Sequence, residues 1–243
     1  SGFRLKLEIV FPDGQKLAER TSNSAFGVVD GLALIGTQAT VQVSASPDQQ
    51  KKIIDQLQKN CSSPEFQGNI IFVIGENGFD LALKKGFRKS SILKIGNWIG
   101  PAIVAAGDLG VKELLLFGYH GKLIKLAGGV FHTHHHLADA RLEILAYLAV
   151  KEALPLELIQ KIIKVASLEE ALILLESEDP DQVKKLWIRI AIEIEKKSIA
   201  YLNRYFASSI QIGSVLFDRK RDLRWAGPIG LQHIKNLGIS LGS

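Results

Sequence analysis

Five of the six histidines of this 243-residue chain fall between Gly118 and His136, beside two lysines and an Asp/Arg pair. His132, His134 and His136 alternate as ligands would on one face of an extended segment, with Asp139 close behind, a pattern that suits a metal ion. A catalytic zinc would need further ligands from another element, and neither a cysteine nor a helical His-Glu-x-x-His stands nearby. Alternatively, some of these imidazoles cap the helix expected from Ala138 or sit in solvent. A second chemistry is equally open. Lys122, Lys125 and Arg141, interleaved with Gly118, Gly121 and Gly128, could cradle an anion, or the lysines could form a solvated basic face while Arg141 pairs with Asp139 or Glu143.

These residues must be held by something, and the surrounding pattern says what. Asn69–Ile74, Ser91–Ile95 and Glu113–Phe117 are short apolar runs, each closed by glycine and followed by a helical pattern (Phe79–Lys85, Asn97–Leu109, Lys122–Gly128). That rhythm predicts an α/β fold, a Rossmann-like, largely parallel sheet with flanking helices. Ligands of such sheets bind beyond the carboxyl ends of the strands, which draws attention to Gly36-Thr37, Gly75-Glu76-Asn77-Gly78, Gly96–Gly100 and the run from Gly118 to Arg141. Taken one at a time, such glycines are also ordinary turn residues.

Around this core, the alternation Arg4–Val10 predicts an N-terminal strand, and Ser46-Pro47-Asp48-Gln49 opens a helix to about Asn60. Beyond Gly118 the chain reads as helical, with segments 138–153, 156–165, 167–176 behind a Ser167/Glu170 capping box, and about 180–206 behind Asp179-Pro180. Ile210–Phe217 and Leu223–Trp225 then flank the charged tip Asp218–Asp222 as a small β-hairpin. The expected organisation is an N-terminal segment, residues 1–46, and an α/β domain, residues 47–243.

With 47% hydrophobic residues, mean hydropathy +0.13 and 7 prolines, disorder, collagenous and low-complexity classes are excluded. No apolar stretch approaches the roughly 20 residues of a membrane helix, so a soluble, cytoplasmic protein is expected. The single Cys61 rules out an internal disulfide. Ser1-Gly2 and the absence of methionine suggest a processed or truncated chain. The net charge of +5 favours anionic partners without requiring nucleic acid.

The segments Gly121–Ala127, Gly129–His134 and Ala138–Arg141 closely resemble the central motif of the CbiD family, the cobalt-precorrin-5B C-methyltransferases of anaerobic cobalamin biosynthesis. Gly27–Thr37, Gly75–Gly78 and Asn97–Gly100 are similar, in order, to three further stretches of that family. The chain departs at Gly36-Thr37-Gln38-Ala39, where the family has Gly-Thr-Thr-Gly, and at Trp98, where Phe is usual. It also lacks the glycine- and threonine-rich start of the family, so it is similar to the larger C-terminal part.

The resemblance implies methyl transfer from S-adenosylmethionine to ring carbon C-1 of a cobalt-bound tetrapyrrole, giving cobalt-precorrin-6A. Cobalt then belongs to the substrate and no metal site is needed. It implies Lys122, Lys125, Thr133 and Arg141 as substrate-binding residues, and Gly36, Thr37, Gly75, Glu76, Asn77, Gly78, Asn97, Gly100 and Gly118 around the donor. His120, His134 and Asp139 become the catalytic candidates, a histidine taking the proton released after methylation. The implied partner is the tetrapyrrole, with neither nucleic acid nor membrane, and a homodimer is compatible. A metal-dependent hydrolase using His132–His136 and a non-catalytic corrinoid-binding module are the rival readings.

Overall fold

The computed structural model describes residues 10–18, 31, 47–134 and 139–242. Two compact units divide the chain, Ser1–Val43 and Ser44–Ser243. In the first, the described residues contain helix α1 (Gly14–Ala18). The expected strand Arg4–Val10, apart from Val10 itself, lies outside the described residues, as do Gly36 and Thr37.

The second unit is a five-stranded sheet in the order β2-β1-β3-β4-β5. Strands β1 (Asn69–Val73), β2 (Ile92–Lys94), β3 (Glu113–Tyr119) and β4 (Gln211–Phe217) run parallel, and β5 (Leu223–Ala226) is antiparallel to β4. The apolar runs lack alternation because both faces are covered. Ile70, Phe72, Leu114, Leu116 and Ile212 enter one core, while Ile71, Val73, Leu115, Phe117 and Val215 enter another on the opposite face. The first core is closed by α2 (Pro47–Cys61), α4 (Ile99–Asp108), α5 (His120–Ala127), α6 (Arg141–Lys151), α7 (Leu156–Ile162), α8 (Leu168–Glu178) and α9 (Pro180–Leu202). The second is closed by α3 (Gly75–Lys84) and α10 (Pro228–Asn236). After β2 the chain returns to the other side of β1 to form β3, so the strand order reverses there and the crevice beyond β1 and β3 is the expected binding place.

The helix starts follow their chemistry. Ser167 Oγ accepts from Glu170 N at 3.2 Å, and Asp179 Oδ1 accepts from Asp181 N and Gln182 N at 3.1 and 3.0 Å, with Pro180 at the first helical position.

Three differences from the sequence expectation bear on the carboxyl edge of the sheet. Helix α3 begins at Gly75 rather than Phe79, so Gly75–Gly78 is a helical turn and not a loop. Strand β3 runs on to Tyr119, which puts Gly118 inside the sheet opposite Leu216. The C-terminal hairpin is no separate unit. β4 joins the main sheet beside β3, because Ile212–Phe217 is apolar on both sides and needs cover on both sides.

Helix α10 is absent from the sequence expectation, although Gly227-Pro228 marks its start. It lies so close to β4 that a Cβ on Gly230 would collide with Ser214 O, and one on Gly213 would stand 2.7 Å from Gly230 N. Both obstacles are backbone. Gly230→Ala should therefore cost about 1–3 kcal/mol or more by overpacking, read as a lower denaturant midpoint at unchanged slope. An unchanged midpoint would mean that α10 does not pack on β4. Among the described residues, no helix is long and apolar enough to cross a membrane.

Candidate functional site

The segment after α5 folds back against the loop after β2, and this joins the two groups of residues that the sequence singled out separately. Gly96, at φ +54°, turns the chain out of β2. Asn97 then holds Thr133 twice: its backbone carbonyl accepts from Thr133 N at 3.2 Å, and its Oδ1 accepts from Thr133 Oγ1 at 3.1 Å. One turn on, Gly100 N donates to Phe131 O at 3.0 Å. A Cβ at Gly100 would meet the Tyr201 hydroxyl at 2.6 Å, so this glycine lets Tyr201 stack on Phe131, with centroids 4.3 Å apart. The Trp98 and His132 rings meet edge to face at 4.6 Å, and His134, half-buried, has its ring 6.4 Å from that of His132.

Lys125 anchors the same segment from below. Its side chain is buried, and Nζ donates to Thr133 O at 3.2 Å and lies 3.9 Å from Asp139 Oδ1. Desolvation lowers the Lys125 ammonium, the charge of Asp139 opposes that, and Arg141 adds to the lowering. Asp139 accepts two bonds from Arg141, Nε to Oδ1 at 2.5 Å and Nη2 to Oδ2 at 2.8 Å. These bonds hold the Asp139 carboxyl below the usual range, and the Arg141 guanidinium is raised in return. A carboxylate so committed orients cations and is a poor proton acceptor. Lys122, one turn before Lys125, is exposed; partial desolvation and then the Lys125 charge hold its ammonium below the ordinary value.

Beyond β3 the arrangement is different. His120 is fully buried, edge-on to Trp187 at 4.9 Å and to Trp225 at 5.7 Å. Its Nδ1 faces Phe217 O at 3.3 Å, while Nε2 has no hydrogen-bond partner and lies 3.6 Å from Glu169 Oε2, too far to form one. Desolvation dominates and lowers its pKa to about 4. In this structure His120 is therefore a neutral ring sealed in the core, and the catalytic role expected of it rests on the family resemblance alone. Since the unfolded chain takes up this proton near pH 6.5 and the folded one only near 4, stability should fall as pH drops through that window. Thermal melts in His120→Gln should show a shallower fall; an equal slope would refute the assignment.

Tyr119 donates to Glu169 Oε2 at 3.0 Å, and its hydroxyl is raised by desolvation and by the Glu169 charge. A Cβ at Gly121 would stand 2.5 Å from the Tyr119 ring, and one at Gly128 would collide with Ile144. The space at Gly118 is taken by Leu123, 3.1 Å from where a Cβ would stand. These glycines serve packing in this structure.

At the end of β1, Gly75 takes φ +77°. Glu76 pairs with Lys94 at 2.6 Å, and Asn77 Oδ1 accepts from Arg221 Nη2 at 2.5 Å. Gly78 allows α3 to lie against Val73. Glu169 and Arg221 are polar groups at this edge that sequence reasoning missed. Glu169 is hidden inside a capping box, and Arg221 inside what reads as a hairpin tip.

Two clefts open elsewhere, about 660 Å³ by Lys112, Glu113 and Gln211 at the amino end of β3 and β4, and about 680 Å³ by Lys52, Phe79 and Lys94 along edge strand β2. Among the described residues, neither is lined by the His132–Arg141 segment, and no three His, Cys, Asp or Glu side chains gather as a metal set. His135 and His136 lie outside the described residues.

A largely parallel sheet covered on both faces, with polar and cationic side chains gathered at its carboxyl edge, defines a doubly wound α/β protein, the class in which ligands bind at that edge. Two family descriptions match the chain, CbiD over residues 1–43 and CbiD, C-terminal domain, over residues 132–228. Among similar curated proteins is the cobalt-precorrin-5B C(1)-methyltransferase of Prochlorococcus marinus strain MIT 9313, 60% identical over 240 residues, which cover 99% of this chain and 63% of that protein. Those of strains NATL1A and MIT 9515 are 59% and 52% identical, covering 99% and 97% of this chain and 63% of each relative. No solved structure matches. The chain belongs to the CbiD family, and it spans about 63% of the length of these relatives.

Proposed function

We propose that this chain carries the core of an S-adenosylmethionine-dependent methyltransferase acting on C-1 of cobalt-precorrin-5B, in anaerobic cobalamin biosynthesis. The observation that carries the reading is the pair of hydrogen bonds that Thr133 donates to Asn97, which locks the histidine segment onto the loop after β2. The relatives' printed names supply the reaction and the substrate.

The residues fit an adenosyl donor in one specific respect. Trp98 Nε1 and His132 Nδ1 are buried polar atoms without a hydrogen-bond partner, set side by side between the loop after β2 and the segment after α5. A nucleobase edge offers both with what they lack, at a place where each unmade bond is costly. When bound, S-adenosylmethionine supplies an activated methyl group. Glu76, half-exposed at the start of α3, is the nearest candidate for ribose hydroxyls, with Asn77, Gly75 and Gly78 shaping that turn.

The chain's own work is then to orient and to exclude water, because displacement at a sulfonium methyl needs no covalent nucleophile. Lys122 and Arg141 meet the peripheral carboxylates of the tetrapyrrole. Lys125, Thr133 and Asp139 fix Arg141 and its segment from inside. The proton released from the methylated ring passes to His134, which is half-buried where His120 is sealed.

Binding of S-adenosylhomocysteine should quench Trp98 fluorescence, and Trp98→Phe, which removes the Nε1 donor, should lose that quench and bind more weakly. A quench that persists in Trp98→Phe would place the donor elsewhere, since Trp187 and Trp225 are stacked in the core. On the metal question, stripping tag-free protein with a chelator should leave its melting temperature unchanged. A melt restored by one equivalent of zinc would favour the hydrolase reading.

A further inference from the structure

The turn joining β4 to β5 stands at the carboxyl edge of the sheet and is organised by Asp218, whose side chain is buried. Its Oδ1 accepts from Lys220 N at 2.8 Å and Asp222 N at 3.0 Å, and its backbone carbonyl accepts from Arg221 N at 3.0 Å. Arg221 there takes φ +68°, a left-handed conformation that disfavours any Cβ and suits glycine. Glycine is the residue that fits this position without strain. Instead it carries a half-buried arginine whose Nη2 reaches Asn77 Oδ1, in the first turn of α3. Because β3 lies between β1 and β4, this bond passes over the carboxyl end of β3, where the binding crevice is expected.

The neutral amide of Asn77 is the side-chain partner of Arg221, and among the described residues no carboxylate pairs with its guanidinium. A partly desolvated cation with five donors and, among the described residues, no paired carboxylate calls for an anion. The same turn carries Arg219, which with Arg141 acts electrostatically on Tyr119, so positive charge approaches this edge from two elements.

We propose that Arg221 receives a carboxylate of the ligand bound at this edge, with Asn77 aiming its planar fork. This rests on the methyltransferase reading above. The carboxylate comes either from the periphery of the tetrapyrrole or from the amino-acid end of the donor. The test is calorimetric titration of the 243-residue chain and of Arg221→Gly and Arg221→Lys with uroporphyrin, a polycarboxylate tetrapyrrole, and separately with S-adenosylhomocysteine. Glycine suits the backbone, so Arg221→Gly should melt no lower than the unmodified chain. Affinity in at least one arm should fall about tenfold or more, with partial recovery in Arg221→Lys. The arm that falls identifies the source. Unchanged affinity in both arms overturns the proposal, as does a melting temperature lower by more than about 5 °C in Arg221→Gly, which would make Arg221 a strut between β4 and α3. If the unmodified chain binds neither probe, the methyltransferase reading fails, and the Arg221 assignment falls with it.

Discussion

Arg141→Ala should weaken binding of a polycarboxylate tetrapyrrole by about ten- to a hundredfold, the cost of a charge-assisted hydrogen bond of about 1.5–3 kcal/mol, while donor binding changes far less. Two of the Arg141 N–H groups are committed to Asp139, and its side chain remains 37% exposed, so the other donors are available to a ligand. Its removal also leaves the Asp139 carboxylate facing the anion site without its main partner, a repulsion that adds to the lost bond. Lys122→Ala should act in the same direction but more weakly, because an exposed flexible ammonium is a less directed donor. Titration showing unchanged tetrapyrrole affinity in both variants would remove the anion cradle from the account.

The second large effect concerns Glu195, a buried carboxylate of α9 that touches no candidate ligand residue. Its Oε1 accepts from Ser214 N at 3.0 Å and Gly230 N at 2.9 Å, and its Oε2 accepts from Ile229 N at 3.2 Å. One side chain thus ties β4, α9 and the first turn of α10 together, and Gly227 is the residue that leaves it room. Burial raises its pKa, and the three amides oppose that shift. Glu195→Ala strands three backbone donors, at roughly 1–3 kcal/mol for each one left dry. Water entering the gap would relieve part of this, so a net loss of about 3–5 kcal/mol is expected, or roughly 10 °C in melting temperature for a chain of this size. Glu195→Gln, which keeps one acceptor oxygen, should lose less. A melt within about 2–3 °C of the unmodified chain for Glu195→Ala, about 1 kcal/mol, would show that the knot carries no weight.

How far the sequence could be read depended on the kind of information each feature needed. Strands β1 and β3 were legible because their apolar runs stop at glycine, and α8 and α9 because their caps are local chemistry. The place of β4 was not, since Ile212–Phe217 announces a strand but not its neighbour, and its pairing with β3 is made across a long crossover that holds the five helices α5 to α9. The glycines misled for a related reason. A glycine that admits a ligand and one that admits a tyrosine ring look alike in sequence, and Gly100 and Gly121 prove to lie under Tyr201 and Tyr119. His120 read as a proton acceptor on the intrinsic pKa of its ring, which says nothing of burial; β3 runs two residues past Phe117 and carries it into the core. Lys125, read as a cradle cation, is turned inward to the Thr133 carbonyl, an orientation that the i, i+3 spacing with Lys122 could not reveal. Thr133 was legible only through the family motif, while Arg141 and the loop of Asn97 were already marked by charge and by position after a strand; the two bonds between Thr133 and Asn97 supply a physical reason for the motif.

The central claim is that the segment from Phe131 to Arg141, locked to Asn97, forms part of a methyl-transfer site. Its most direct test is to incubate the chain with cobalt-precorrin-5B and S-adenosylmethionine carrying a deuterated methyl group, and to weigh the tetrapyrrole by mass spectrometry, with Thr133→Val in parallel. The account predicts a product heavier by one labelled methyl, at a rate reduced about tenfold or more in Thr133→Val, which loses the hydroxyl bond to Asn97 but keeps the shape. A labelled product formed equally fast by Thr133→Val, or an unlabelled tetrapyrrole recovered from a chain shown to bind both ligands, would contradict it.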